Sequence, residues 1–159
     1  MKIIYHCYGG THSSVLAAAL DTGILNMHKP LTWQDLFACP YFDTVDKRDT
    51  GKINYMGENA SGDDVYTMGC KNAGFIVENV VKELGKVTQL DTSELIMVNT
   101  IPCLNNLMRL GGLLSRQLGL ITAGRFFLFH GSQLAYPKIK QTVLQVNKMK
   151  HRYSTSSSV

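Results

Sequence analysis

The chain reads as an α/β protein with three layers: a mostly parallel sheet, helices on both of its faces, and one β-hairpin. Three observations predict this. Short apolar runs alternate with longer segments of helical period, the pattern of parallel strands joined by helical crossovers. The first apolar run breaks into Gly9-Gly10-Thr11-His12-Ser13-Ser14 directly before a strong helix former, Val15 to Leu20. Two strand-like runs near the middle are joined by Gly57-Glu58-Asn59-Ala60-Ser61-Gly62-Asp63, a segment dense in turn formers.

Taken in order, Lys2 to Tyr8 forms a buried strand, and Ser13 to about Leu25 a helix with Thr11 or His12 near its cap. Leu31 to Ala38 is a short helix: Thr32 can cap it, with Asp35 placed to complete a capping box, and Pro40 ends it. Asp43 to Lys52 is polar and turn-rich, a surface loop. Lys52–Met56 and Asp64–Met68 are the hairpin strands, with an ordered loop over the active face as the alternative. Met56-Gly57 and Met68-Gly69 occupy similar places in the two runs and suggest bulge glycines. Asn72 to Leu84 is an amphipathic helix with Phe75, Ile76, Val80 and Leu84 inward and Gly85 as its C-cap. Leu95–Val98 is a strand. Pro102 opens a helix to about Leu118, stopped by Gly119; Arg125–Phe129 is another buried strand; and Gly131 to Met149 holds the last helix, interrupted or begun at Pro137. Residues 1–150 make one domain, and the Ser-rich tail, 151–159, is expected to be disordered.

Bulk composition excludes several classes. At 159 residues, 45% hydrophobic and 18% charged, the chain can bury a real core and has the make-up of a globular domain. No apolar run approaches the roughly 18 residues a membrane helix needs, and the N-terminus reads as a strand rather than a signal peptide, so a cytoplasmic location without membrane association is expected. The net charge is +4, much of it near the C-terminus at Lys138, Lys140, Lys148, Lys150 and Arg152. That pattern is a solvated helix face and not the dense basic stripe of a nucleic-acid binder. The four cysteines, Cys7, Cys39, Cys70 and Cys103, make no CxxC pair and fit no zinc template. In a reducing compartment they are free, and the last three read as small buried residues.

In a sheet of this kind ligands bind beyond the carboxyl ends of the strands. The loops after Tyr8, Val98 and Phe129 should converge there, bringing Gly9, Gly10, Thr11, His12, Asn99, Thr100, His130, Gly131 and Ser132 together. The first loop also leads into a helix N-terminus, whose unpaired N–H groups and positive dipole end favour an anion. It has no Walker lysine and no arginine six residues beyond Cys7, so it is neither a nucleotide-hydrolysing P-loop nor a small-phosphatase loop. The Cys7-to-Ser13 spacing resembles the phosphocysteine loop of sugar-transport IIB proteins. His6 and Tyr8 should face away from Cys7 in a regular strand, which makes His6 a packing residue and leaves His12 as the acid–base or anion-contact candidate. On the helix after Pro102, Asn105, Arg109, Gly112 and Arg116 share one arc, opposite Leu104, Leu107, Met108, Gly111, Leu114 and Leu118. Gly111 and Gly112 each cost roughly 1 kcal/mol of helix stability, which points to close packing or a nearby ligand. A metal would need His12, His130 and a carboxylate such as Asp49 or Asp64, and no HExxH-like spacing supports one; no cofactor is specified.

Tyr5-His6, Gly9-Gly10-Thr11-His12-Ser13-Ser14, Tyr55-Met56-Gly57, Val65-Tyr66 and Met108-Arg109-Leu110-Gly111-Gly112-Leu113-Leu114-Ser115-Arg116 together resemble the domain-of-unknown-function 3189 family of spore-forming Firmicutes, over roughly residues 1 to 146. The resemblance implies a bacterial, cytoplasmic, single-domain protein and supplies no catalytic residues. Three functions follow as expectations. The first is binding of a phosphorylated small molecule or nucleotide, with Gly9, Gly10, Thr11, Ser13 and Ser14 around the phosphate and His12, Asn105, Arg109 and His130 contributing charge or hydrogen bonds. The second is a non-catalytic regulatory or protein-interaction module. The third is thiol phosphotransfer through Cys7.

Overall fold

The computed structural model describes residues 1–44, 47–89, 92 and 94–156. Its sheet has four strands in the order β2-β3-β1-β4, with β1 (Lys2–Cys7), β2 (Ile53–Glu58), β3 (Asp64–Gly69) and β4 (Leu95–Asn99). The apolar run Ile3-Ile4-Tyr5 belongs to a central strand: β1 lies between β3 and β4 and runs parallel to both, with Ile4 opposite Tyr66 on one side and Met97 on the other. Buried on both faces, such a strand has no polar alternation. β2 runs antiparallel to β3 at the sheet edge, and its register slips between Tyr55 and Gly57, a bulge of the expected kind. Gly69 has another use, described below.

Helix α1 (Ser13–Asp21) is buried along its whole length, in contact with β1, β3 and α5. Ala17-Ala18-Ala19 has no bulk to hold these neighbours apart, and Val15, Leu16 and Leu20 fill the core with Ile3, Tyr5, Val65, Ile139 and Val143. The helix ends at Asp21, short of Leu25. In α2 (Trp33–Ala38) Thr32 accepts the Asp35 N–H, as the capping pattern predicted.

Several expectations are corrected. Arg125–Phe129 is not a strand: it lies inside α5 (Ile121–Ser156), a 36-residue helix about 54 Å long at 1.5 Å per residue. The four-residue apolar run Phe126–Phe129 mimics a strand, but Gly124, Leu128, Gly131, Ala135, Ile139, Val143 and Val146 are buried at helical spacing throughout. The helix after Pro102 begins later: Pro102 sits in a 3-10 turn (Ile101–Cys103), and α4 (Asn106–Arg116) is capped by Asn105, whose side chain accepts the Met108 N–H. Finally, α3 (Gly74–Thr88) does not end at Gly85, which is buried inside it; Gln89 closes the helix in a left-handed conformation, φ 55°. Nor do its large apolar residues point inward. Phe75, Ile76, Val80, Leu84 and Val87 are all exposed, and the helix meets the sheet through Gly74, Val77 and Glu78. The small residue Gly74 lets α3 approach His6 closely: a Cβ there would lie 3.0 Å from the His6 ring. His6 is fully buried and paired with Glu78 at 2.8 Å, the packing role expected of it.

α4 and α5 form an antiparallel pair that needs glycine at the crossing. A Cβ on Gly111 would fall 2.7 Å from the Leu128 nitrogen, and one on Gly124 2.5 Å from that of Ser115. At the amino end of the sheet, Asp63 pairs with the N-terminal ammonium at 3.0 Å and with Lys150 of α5. Lys150 is therefore buried in an ion pair and not part of a solvated basic face. α5 is described to Ser156; residues 157–159 of the Ser-rich tail lie outside the described residues. No helix among the described residues is long and apolar enough to cross a membrane. All four cysteines are buried and free.

Candidate functional site

A cleft of about 540 Å³ opens at the carboxyl ends of the parallel strands. Cys7, Tyr8, Gly9, Thr11 and His12 line it after β1, Lys71 and Asn72 after β3, Ile101 and Leu104 after β4, and Thr50 adds to the rim. One wall is α4, through Met108, Arg109, Gly112, Leu113, Arg116 and Gln117. Of the α4 arc read from sequence as Asn105, Arg109, Gly112 and Arg116, the last three line the cleft; Met108, placed on the opposite arc, lines it too.

The first loop is built by backbone contact. Gly10 has φ 69°, and a Cβ there would lie 2.5 Å from the Gly69 nitrogen; a Cβ on Gly69 would lie 2.8 Å from the Gly9 carbonyl carbon. These glycines let two protein backbones touch, which is a different reason for glycine than close approach of a ligand. The hydroxyls are likewise engaged inside the fold. Thr100 Oγ1 donates to the His6 carbonyl at 2.9 Å, so its 3.0 Å bond with Ser13 has Ser13 as donor. Thr11 donates to the Tyr41 carbonyl at 2.8 Å. Ser14 Oγ lies 3.2 Å from Cys7 Sγ, and Sγ also accepts the Gly10 N–H at 3.2 Å. The N-cap of α1 is His12, which makes no side-chain capping bond, and the first turn of a helix carries N–H groups without intrahelical partners.

His12 is held by a residue that sequence reading left in a surface loop. Its Nε2 lies 3.3 Å from Asp43 Oδ1, while Asp43 Oδ2 accepts the Ser115 hydroxyl at 2.6 Å and lies 3.5 Å from Arg125 Nε. Arg116 donates to the Asp43 carbonyl at 3.0 Å and to that of Thr44 at 3.3 Å. Asp43 is buried and sits at φ 54°, a backbone region that costs a non-glycine residue free energy. Burial pushes its carboxyl up, but hydrogen bonds from His12 and Ser115, with the charges of His12 and Arg116, outweigh this and hold it below the ordinary value of 3.8. An ionised carboxylate only accepts, so it places the proton of a neutral His12 on Nε2 and leaves Nδ1 as the acceptor. Gly112 makes room for the ring: a Cβ there would lie 2.9 Å from His12 Cε1. The two adjacent α4 glycines thus serve different neighbours, Gly111 the helix α5 and Gly112 the histidine.

Of the residues singled out from sequence, Cys7, Gly9, Thr11, His12 and Arg109 lie on the cleft wall; Gly10, Ser13 and Ser14 belong to the same loop but are not wall residues. Asn105 is a helix cap whose amide donates to the Gly131 carbonyl at 2.7 Å. His130 is on the exposed side of α5, against Phe126 and Phe129, because the strand that was to carry it to the site is a helix. Sequence reading missed Lys71, Asn72 and Asp43. Lys71 follows β3, and a strand assigned only to a hairpin gave no reason to count the loop after it; yet β3 is β1's parallel neighbour, so that loop joins the site. Lys71 is also held at φ 49°, and its N–H donates to the Tyr8 carbonyl at 2.8 Å.

The wall carries Lys71, Arg109, Arg116 and His12 and, among the described residues, no carboxylate. Arg116 is anchored to the Asp43 loop, whereas neither the Arg109 guanidinium nor the Lys71 ammonium has a hydrogen-bond or ion-pair partner among the described residues. Such a cleft attracts negative charge. Among the described residues no group of three or more His, Cys, Asp or Glu is placed to hold a metal ion.

Fold and cleft together define a mixed α/β protein with a cationic cleft at the carboxyl edge of its sheet. The chain belongs to the family described as Protein of unknown function (DUF3189), whose model matches residues 2–148. No curated protein and no solved structure matches it.

Proposed function

We propose that the protein binds a phosphorylated small molecule, nucleotides included, with the phosphate seated beside the Gly9–Ser14 loop and the start of α1. The observation that carries this reading is the pair of cations without partners, Arg109 and Lys71, which reach one cleft from different elements and meet no carboxylate there. Both side chains are exposed and unpaired at the cleft, and phosphate suits both. Thermal unfolding in the presence of inorganic phosphate, nucleotides and sugar phosphates tests it. Ligand at about 100 times its Kd adds about 2.7 kcal/mol, a rise in Tm of roughly 5–10 °C for a domain of this size. Arg109 is exposed, so Arg109→Gln should leave the free protein's Tm unchanged and remove most of the rise. No rise with any phosphorylated compound would refute the reading.

A second reading, phosphotransfer through Cys7, is favoured by a specific contact: Sγ is on the cleft wall with the Gly10 N–H directed at it. Attack by the thiolate on a phosphate ester would form the S–P bond and break the ester P–O bond, the leaving oxygen taking a proton from solvent. An intact-mass measurement after acid-free quenching should then show one added phosphoryl group, absent in Cys7→Ser. An unmodified wild-type chain with every phosphate donor tried would dismiss this second reading and leave the first standing.

A further inference from the structure

We infer that the ligand of this cleft is an organic phosphate with an apolar body, an aryl or short alkyl ester, in preference to inorganic phosphate or a phosphorylated polyol. The inference rests on the phosphate reading above and adds the chemistry of the rest of the molecule. Volume is the first argument. About 540 Å³ is within the range of sites that enclose whole organic ligands and far more than one phosphate ion fills. The second is the make-up of the wall. Ile101, Leu104, Met108 and Leu113 form a run of apolar side chains on the wall, from the turn after β4 along α4. Leu113 is 41% exposed although the same helix buries Met108 to 1%. A half-exposed leucine inside a concave site is apolar surface left for a ligand to cover. The third is position: Leu113 lies one turn beyond Arg109 on the same face of α4, so an anion held by Arg109 brings the rest of the molecule within reach of that exposed leucine. Polyol hydroxyls would lose water there without gaining partners, whereas a phenyl or butyl group would be sheltered from water.

Isothermal titration of the full chain with phenyl phosphate, glycerol 3-phosphate and inorganic phosphate tests this, with free phosphate assayed alongside so that turnover is not read as binding. Phenyl phosphate should bind at least about tenfold more tightly than glycerol 3-phosphate, the scale expected for burying one small apolar group. Leu113→Asn should shrink that ratio to about two or less without weakening glycerol 3-phosphate, and Leu104→Gln, on the neighbouring turn, should act in the same direction. The Tm of each variant, measured in parallel, shows whether it is folded. Equal affinity for all three compounds would overturn the apolar-body inference while leaving the phosphate site intact. A preference for phenyl phosphate that survives both substitutions would also overturn it, because the body would then lie elsewhere. No binding of any of the three would refute the phosphate reading itself.

Discussion

Replacing Gly10 by alanine is a direct test of how the candidate site is built. In the folded chain Gly10 has φ 69°, and its added methyl would fall 2.5 Å from the Gly69 nitrogen, 2.8 Å from the Met68 carbonyl carbon and 2.9 Å from the Gly69 Cα. All three are backbone atoms of a strand paired on both sides, so none can turn away as a flexible side chain would. Two costs add. Holding an L-residue in the left-handed region costs roughly 1–2 kcal/mol, and forcing a methyl into a filled interior costs a further 1–3 kcal/mol or so. The expected loss is about 2–5 kcal/mol, or roughly 4–20 °C in Tm for a domain of this size. Gly9→Ala is the control: its Cβ would meet only Thr11 Cγ2 at 3.5 Å, an ordinary contact, and φ there is not left-handed. Its stability should change by less than about 1 kcal/mol. Urea unfolding of the two variants, with Gly69→Ala as the same contact approached from the other strand, decides the matter. If Gly10→Ala unfolded within experimental error of Gly9→Ala, the loop would not rest on β3, and the argument that glycine serves the backbone here would fail. The same reasoning disqualifies Gly10 as a probe of ligand binding, because its variants change the fold before they change the site.

The acid limb of stability should carry Asp43 and Asp63. Burial raises both carboxyls, but His12 and Ser115 at Asp43, and Lys150 and the N-terminus at Asp63, bring them below the ordinary value of 3.8. A lowered folded pKa gives stability that is complete above the unfolded value and lost as pH falls through the folded one, so Asp63→Asn should flatten the fall in Tm below about pH 4; an unchanged acid limb would contradict the pairing. Burial, with the negative charge of Asp35 at Cys39 and with Cys7 and Glu78 at Cys70, pushes those two thiols up to about 11. Both should be silent to a thiol reagent at pH 8 in the folded chain, and fast labelling of either would show that its burial is wrong. Leu84 is 54% exposed on α3, so Leu84→Lys should shift Tm by no more than about 2 °C. A drop well beyond that would mean the leucine is covered, as its helical pattern first suggested.

Local pieces whose signal lies within a few residues are legible in the chain alone. β1 is recognisable because a strand buried on both faces is apolar without alternation, and β4, a half-buried edge strand, as a short run of apolar residues. Thr32 and Asp35 announce the start of α2, because a capping bond joins residues three apart. The 3.6-residue period on α4 put Asn105, Arg109, Gly112 and Arg116 on one arc before any partner was visible, and the last three of these line the cleft. Tertiary structure decided which pieces meet. Arg125–Phe129 became helix because its burial period is set by α4 packing on Gly124 and Leu128, and an isolated five-residue run contains too little of that period to show it. That one change removed His130 from the site. Placing β3 beside β1 brought Lys71 in, a pairing across some sixty residues that no local pattern encodes. Asp43 reaches His12 over thirty-one residues and Ser115 over seventy-two. Such contacts depend on where a loop lands after the core has formed, and the core's demand for apolar area leaves many sequences free to land it elsewhere. On α3 the amphipathic pattern was real, but the sheet meets it through Gly74, Val77 and Glu78, because the buried His6 pairs with Glu78 and leaves no room beside its ring for a side chain larger than glycine at position 74.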